Sequence, residues 1–292
     1  MIKIGLIGTQ SMHAWAFAQA CNLPKEDGTY RFPNARVTAV YGVDDTEEHI
    51  QLTLEKGNIQ AAVSSFEELI EQCNAFMILQ RRGWEHLAYA EKLITLGYPV
   101  FIDKPVCCTF EDMETLQKLA AEHDCVICGG SGLKYNKKIR ELKQQIEAQK
   151  FGQIKGATIN HSADIDSPYD GIFFYLPHAV EMMLELFGYN PVSVCTTVFS
   201  HNNFTVCVKY AEYMINLAIN SCSTAYVVIN GDNSSATKIE SGDIFLENMR
   251  NFVSVIERQD VTKDTSRLTR HVAVILAVQE SIEKGTEIKI LY

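Results

Sequence analysis

The segment Pro99-Val100-Phe101-Ile102-Asp103-Lys104-Pro105 is an apolar run that ends in a carboxylate, an ammonium and a proline. As a strand of a parallel sheet, it would project Lys104 at the carboxyl edge, where such sheets bind ligands. A lysine fixed there beside a nicotinamide can hydrogen-bond a substrate hydroxyl or carbonyl and ease proton movement. The alternative is an exposed edge lysine. Pro105 forbids immediate helical continuation and is compatible with a cis bond before it. A second segment opens the chain: Gly5-Leu6-Ile7-Gly8-Thr9-Gln10-Ser11-Met12-His13-Ala14 reads as strand, turn and helix start. A dinucleotide fingerprint needs glycine where backbone approaches pyrophosphate, then free amides at a helix N-terminus. Gly8 fills the first glycine position, while Gln10 and His13 occupy the second and third. Ser11 can cap the helix and donate to a phosphate. The expected cofactor contacts are Gly8, Thr9, Gln10, Ser11 and His13, with a plain strand–turn–helix as the alternative.

A third segment, Val40-Tyr41-Gly42-Val43-Asp44-Asp45, places two acids just past a strand. Either can reach a ribose, and either can serve instead as a helix N-cap. No arginine follows Val40-Tyr41-Gly42 to accept a 2′-phosphate, so of NAD and NADP the expectation leans to NAD.

These segments need a frame that brings strand ends to one edge. Over the first ~125 residues short apolar runs alternate with amphipathic segments, the pattern of βαβ units and a parallel sheet. Strands are expected at Ile2–Ile7, 37–41, Ala61–Val63, 75–79 and 99–102, with another in the run 125–128. Ser64-Ser65-Phe66-Glu67-Glu68 offers a capping box. Gly97 suits the residue after a helix, and Thr109-x-x-Asp112 caps the next one. Gly129-Gly130-Ser131-Gly132 reads as a hinge. Beyond it lie a helix near 136–149 and strand-like stretches at 153–160, 192–199, 204–210, 214–221 and Ala225–Asn230. That clustering predicts an open, largely antiparallel sheet, followed by helices near 245–257 and Ser266–Lys284 and a last strand at 287–291. The fold class is therefore α/β, a Rossmann-like doubly wound parallel sheet over 1–125 and an α+β domain over 126–292.

At 292 residues the chain is long enough for two cores. It is 47% hydrophobic and 21% charged, ordinary for a globular protein. A net charge of −10 argues against nucleic acid or anionic membrane as a partner. No apolar run reaches the ~18 residues of a membrane span, and the chain opens directly on a strand, so a cytoplasmic location is expected. Of the nine cysteines, Cys125-x-x-Cys128 has the spacing of half a zinc site. No second Cys/His pair stands at ligand spacing, so reduced core cysteines and no metal are expected.

The glycine turn, the stretch from His86 through Gly97-Tyr98-Pro99-Val100 to Asp103-Lys104-Pro105, and the domain that follows resemble the glucose–fructose oxidoreductase/inositol dehydrogenase/rhizopine-catabolism family over nearly the whole chain. Asp-Lys-Pro stands where that family usually has Glu-Lys-Pro. Lys134-Tyr135 resembles its basic–aromatic pair, and Phe151-Gly152-Gln153-Ile154 its helix-to-strand entry. The run Gly171-Ile172-Phe173-Phe174-Tyr175-Leu176-Pro177-His178-Ala179-Val180-Glu181 resembles its histidine motif, with Leu186-Phe187-Gly188 ending the helix that follows.

The resemblance implies an NAD(P)-dependent oxidoreductase acting on a sugar, polyol or related hydroxy compound. It implies Lys104, His178 and Tyr175 as catalytic residues, with Lys134, Tyr135, Tyr175 and His178 toward substrate. The implied cofactor set extends from the first turn to Asp44, Gln80, His86, Asp103 and Lys104. Lys104 and His178 are expected to converge on one cleft, with histidine suited to give and accept a proton near neutrality. A homodimer or homotetramer built through the second sheet is also implied. Three signatures depart from the family's pattern: Gln10 and His13 stand at glycine positions of the first turn, Gly42 stands near the end of the second strand, and Phe174 stands four residues before His178, where the family's usual catalytic aspartate lies. A phenylalanine neither orients a hydroxyl nor tunes a lysine. It keeps open a second reading, a non-catalytic dinucleotide- or sugar-binding or sensor protein on the same fold.

Overall fold

The computed structural model describes residues 1–221 and 224–292, and two compact units divide the chain. The first comprises Met1–Cys107, Glu114–Gly130 and Phe245–Thr265. The second comprises Cys108–Met113, Ser131–Ile244 and Ser266–Tyr292.

In the first unit β1 (Ile2–Ile7), β2 (Ala35–Tyr41), β3 (Ala61–Val63), β4 (Ala75–Ile78), β5 (Val100–Ile102) and β6 (Ile127–Gly129) form one parallel sheet, ordered β3-β2-β1-β4-β5-β6. Every residue of β4 and β5 is buried, as strands covered on both faces require. The strand order reverses between β1 and β4, where Ile7 pairs with Ile78. In doubly wound sheets that switch point is the ligand-binding edge. Helices α1 (Met12–Asn22), α2 (Glu47–Gly57), α3 (Phe66–Gln72), α4 (His86–Thr95) and α5 (Phe110–Glu122) alternate with the strands. Ser11, Thr46 and Ser65 cap the first three through their side chains. Neither Asp44 nor Asp45 caps α2, because Thr46 holds that place.

The expected boundary after residue 125 cuts through this sheet and needs correcting. Strand β6 pairs with β5, Ile102 opposite Gly129. A Cβ on Gly129 would lie 1.8 Å from the Ile102 carbonyl oxygen, so only glycine closes the edge there. The unit also reclaims a later helix, Ile244–Arg258 (α8 in chain order), whose Met249, Phe252 and Val253 enter the core formed by Ile4, Phe17 and Phe101.

The second unit holds β7 (Gly156–His161), β8 (Ser193–Ser200), β9 (Asn203–Lys209), β10 (Met214–Ile219), β11 (Ala225–Asn230), β12 (Ser235–Ile239) and β13 (Ile288–Lys289). Their order is β12-β11-β7-β10-β9-β8-β13, antiparallel throughout except for β7 with β10. The sequence patterning missed β12, a strand with two of its five residues exposed, one buried and no clean apolar alternation. Val206, Val208, Ile215 and Leu217 are fully buried on a single face, Leu217 opposite Val206 and Ile215 opposite Val208. Helices α7 (Leu176–Phe187) and α9 (Ser266–Lys284) pack on the sheet, and α6 (Lys137–Glu147) packs on α7. Among the described residues no helix is long and apolar enough to cross a membrane.

Candidate active site

In the first unit the chain leaves β1 through Gly8, whose φ of 91° lies in the region that disfavours side chains. A Cβ there would come within 2.9 Å of the Gln80 backbone nitrogen at the end of β4. The glycine therefore allows β1 and β4 to end side by side at the switch point. Thr9 donates its backbone N–H to Asp45, and its hydroxyl lies 2.6 Å from the same carboxylate oxygen. Asp45 reaches back through a turn in which Val43 adopts a left-handed φ of 53°. Asp44, the expected ribose partner, is exposed. Among the described residues the backbone N–H groups of Gln10 and Ser11 meet no protein acceptor. They open onto the N-terminus of the eleven-residue α1, where the helix dipole favours an anion.

His13, standing at the third glycine position, puts Nδ1 2.5 Å from Asp103 Oδ2 and packs its ring edge-on against Phe245 at 5.0 Å. The departure from glycine is thus a tie between the first turn and the Asp-Lys-Pro segment. Burial pushes the Asp103 carboxyl upward, but the His13 imidazole and the Lys104 ammonium hold it below the usual carboxylate range. Lys104 itself is buried, and its bond to Pro105 is cis. His86 is fully buried with Nε2 2.9 Å from the Gln80 carbonyl oxygen, and burial holds its pKa below the ordinary histidine value. It braces the Gln80 turn from behind. Gln80 Oε1 is buried and meets no donor among the described residues. Three features therefore fit a dinucleotide: a backbone cradle only glycine allows, free amides at a helix start, and an orphaned amide oxygen beside them.

The second unit carries a buried polar network. His178 opens α7 just after Pro177 and is 9% exposed, with Nδ1 2.7 Å from Ser131 Oγ. A hydroxyl can donate to Nδ1 or accept from it, so Ser131 serves the ring in either protonation state. Three residues on, Glu181 accepts from Ser131 N–H at 2.7 Å and from the Lys134 ammonium at 2.7 Å. Burial opposes the Lys134 charge, yet the Glu181 carboxylate more than offsets it and raises the lysine pKa. Lys134 is thus tied to Glu181, with its ammonium 5.3 Å over the half-buried Tyr135 ring. Tyr175 is 43% exposed, 5.7 Å from the His178 ring. Phe174 packs against Tyr175 at 4.8 Å and Tyr169 at 5.0 Å, an apolar surface where an aspartate was to be expected.

Sequence reasoning did not pair Asp45 with Thr9, gave Ser131 only a place in the hinge and Glu181 only a place in the histidine motif, and did not name His161. The pair His178 and Glu181 had a legible signal, a three-residue spacing on one helix face. His161, at the end of β7 with its ring 5.4 Å from His178, had none. Cys125 donates its thiol to the Tyr98 carbonyl at 2.7 Å, and burial pushes its pKa up to about 12. Among the described residues no group of three or more His, Cys, Asp or Glu side chains is placed to hold a metal ion.

Comparison with known proteins follows the same division. No curated protein sequence matches the chain. The fold is similar to scyllo-inositol dehydrogenase from Lactobacillus casei solved with bound NAD(H) and scyllo-inositol: TM-score 0.83, 16% identity, 99% of each chain covered. It is similar also to a myo-inositol dehydrogenase from Corynebacterium glutamicum ATCC 13032 (TM-score 0.80, 16% identity, 100% of this chain and 99% of that one). GenD2 from gentamicin A biosynthesis, solved with NAD, gives TM-score 0.82 at 14% identity, covering 100% and 97%. At such identities the likeness is one of fold. Residues 2–131, however, match the model of an oxidoreductase family with an NAD-binding Rossmann fold.

Proposed function

We propose that the protein is an NAD-dependent dehydrogenase of a sugar, polyol or related small hydroxylated compound. The observation that carries this reading is His178, an oriented imidazole whose Nδ1 partner, the Ser131 hydroxyl, can donate or accept. Residues 8–13, Asp45 and Gln80 would hold the cofactor, which when bound supplies a hydride acceptor. His178 takes the proton from the reacting hydroxyl, and the Lys104 ammonium stabilises charge developing on that oxygen. NAD is favoured over NADP because the acids after β2 repel a 2′-phosphate and no arginine follows Tyr41-Gly42.

The test is calorimetry with NAD, NADH, NADP and NADPH, followed by a panel of sugars and polyols read by absorbance of the reduced cofactor. Binding of at least one cofactor below about millimolar is expected, and silence with all four would end the reading. His178→Asn and Lys104→Met should each lower kcat by ~10²–10⁴-fold with cofactor affinity kept. If both act on one oxygen, the double variant loses less than the product of the single losses. Phe174, packed between Tyr169 and Tyr175, favours a second reading, a dinucleotide- or sugar-binding sensor without turnover. Cofactor binding without oxidation of any hydroxylated compound would select it.

Self-association belongs to the same proposal. One face of the second sheet is buried, while the other presents Thr197, Thr205, Met214 and Tyr226. A homodimer or homotetramer through that outward face is expected. Light scattering that gives a monomer at tens of micromolar refutes it.

A further inference from the structure

Cys195 and Cys207 lie outside the core. Cys195 on β8 is exposed, Cys207 on β9 is half-buried, and both are free thiols. The strand register sets them directly opposite each other. Val206 and Val208 on either side of Cys207 are buried, so strand alternation turns Cys207 to the outward face of the second sheet. Cys195, between the buried Val194 and Thr196, shares that face. Met214 opens β10 opposite Lys209, two residues along from Cys207, and is half exposed on the same side. Its Sδ lies 3.5 Å from Cys207 Sγ. Burial and then the charge of Cys195 push the Cys207 thiol above its ordinary pKa, against the opposing pull of Lys209. Three sulfurs thus line up across three adjacent strands of one unit.

The donors are all soft, and thiolate with thioether selects Cu(I) over cations that prefer oxygen. A structural zinc ion takes four ligands from thiolate, imidazole and carboxylate. The outward neighbours Thr197, Thr205 and Asn216 supply none of these, and Glu287 is engaged by Lys209 at 2.7 Å and by the Ser193 hydroxyl. A disulfide fits less well. Opposed Cβ atoms on antiparallel strands stand about 4.5–5.5 Å apart, wider than the ~3.8 Å a disulfide prefers, and it would leave the Met214 sulfur without a role. We propose that Cys195, Cys207 and Met214 form a three-coordinate site for a soft monovalent cation, Cu(I), on the outward face of the second sheet. On binding, both thiols release their protons to solvent, two thiolate–copper bonds form, and the Met214 sulfur donates a lone pair. Copper stays Cu(I), so nothing is oxidised or reduced. The loaded site carries one net negative charge, which the Lys209 ammonium faces. All three ligands come from one chain, so a second copy seated on this face would enclose the ion without supplying a ligand.

The test is an anaerobic titration of the reduced full chain with Cu(I) buffered by bicinchoninate, read by loss of the chelator's colour. Spectra of isotope-labelled methionine methyl groups are recorded alongside, with Met214→Leu identifying the Met214 signal. The wild type is expected to take one ion that Cys195→Ser and Cys207→Ser each bind more than about 100-fold more weakly, beyond the loss of an outer-shell partner. Met214→Leu should weaken it by about tenfold. The Met214 methyl signal should move on loading in the wild type and stay still in Cys207→Ser. Without copper the serine variants should melt with the wild type, and copper should raise the melting temperature of the wild type but not theirs. Equal uptake at equal affinity by the wild type and the Cys195→Ser/Cys207→Ser double variant assigns copper to other cysteines and overturns the proposal. An unmoved Met214 methyl at full loading overturns it too, as does displacement of the ion by equimolar Zn(II).

Discussion

His86, His161 and His271 are three histidines whose rings burial holds below the ordinary pKa. The unfolded chain binds protons at these rings near pH 6.5 while the folded chain does not. Their contribution is therefore complete above about pH 6.5 and is lost as pH falls toward the folded values. Urea midpoints should fall steadily between pH 7 and 5, and a flat profile would contradict the burial. His271 sharpens the case. Its Nδ1 stands 3.7 Å from Glu181, and neither ring nitrogen finds an acceptor at hydrogen-bond geometry among the described residues. Replacing such a group by an apolar one of similar shape stabilises, so His271→Leu should gain about 1–3 kcal/mol, most at pH 5. At this scale the sequence was partly legible. His178, Lys104 and Gly8 announce themselves because each sits in a motif fixed by local backbone. The partners that give them meaning, Asp103 for His13 and Ser131 for His178, lie 90 and 47 positions away and carry no local signature.

Elements were easier to read than their edges. β1, β3, β11 and α9 have the expected bounds, because short, mainly apolar runs or a long amphipathic helix leave little choice. β12 escaped because a polar edge strand is stabilised by its ladder to β11 rather than by its own apolar pattern. Two glycines make opposite predictions. Gly97 follows α4 at a φ of 78° with open space around its missing Cβ, so Gly97→Ala meets only the conformational penalty, about 1 kcal/mol. Gly129→Ala drives a methyl into the Ile102 carbonyl between β5 and β6 and should cost at least ~3 kcal/mol. Denaturant melts of the two variants decide it. Equal losses would mean that the β5–β6 edge relaxes freely.

Taken whole, the chain is two interleaved units, which no local pattern could announce: α8 reads in the sequence as one more amphipathic helix after the second sheet. Its Met249, Phe252 and Val253 nonetheless complete the first core. A fragment of residues 1–131, the span that the family match delimits, should therefore melt without a cooperative transition and bind a hydrophobic dye, whereas the full chain should not. A cooperative fragment would show α8 to be dispensable. The same interleaving has a consequence during synthesis. A ribosome delivers the six strands of the first sheet early, yet the helix that closes their core emerges only after six of the seven strands of the second sheet, a delay on the order of ten seconds at ordinary elongation rates. Throughout that interval the nascent chain displays the apolar surface around Phe17 and Phe101, a window in which a chaperone, rather than the chain itself, must keep that surface out of trouble.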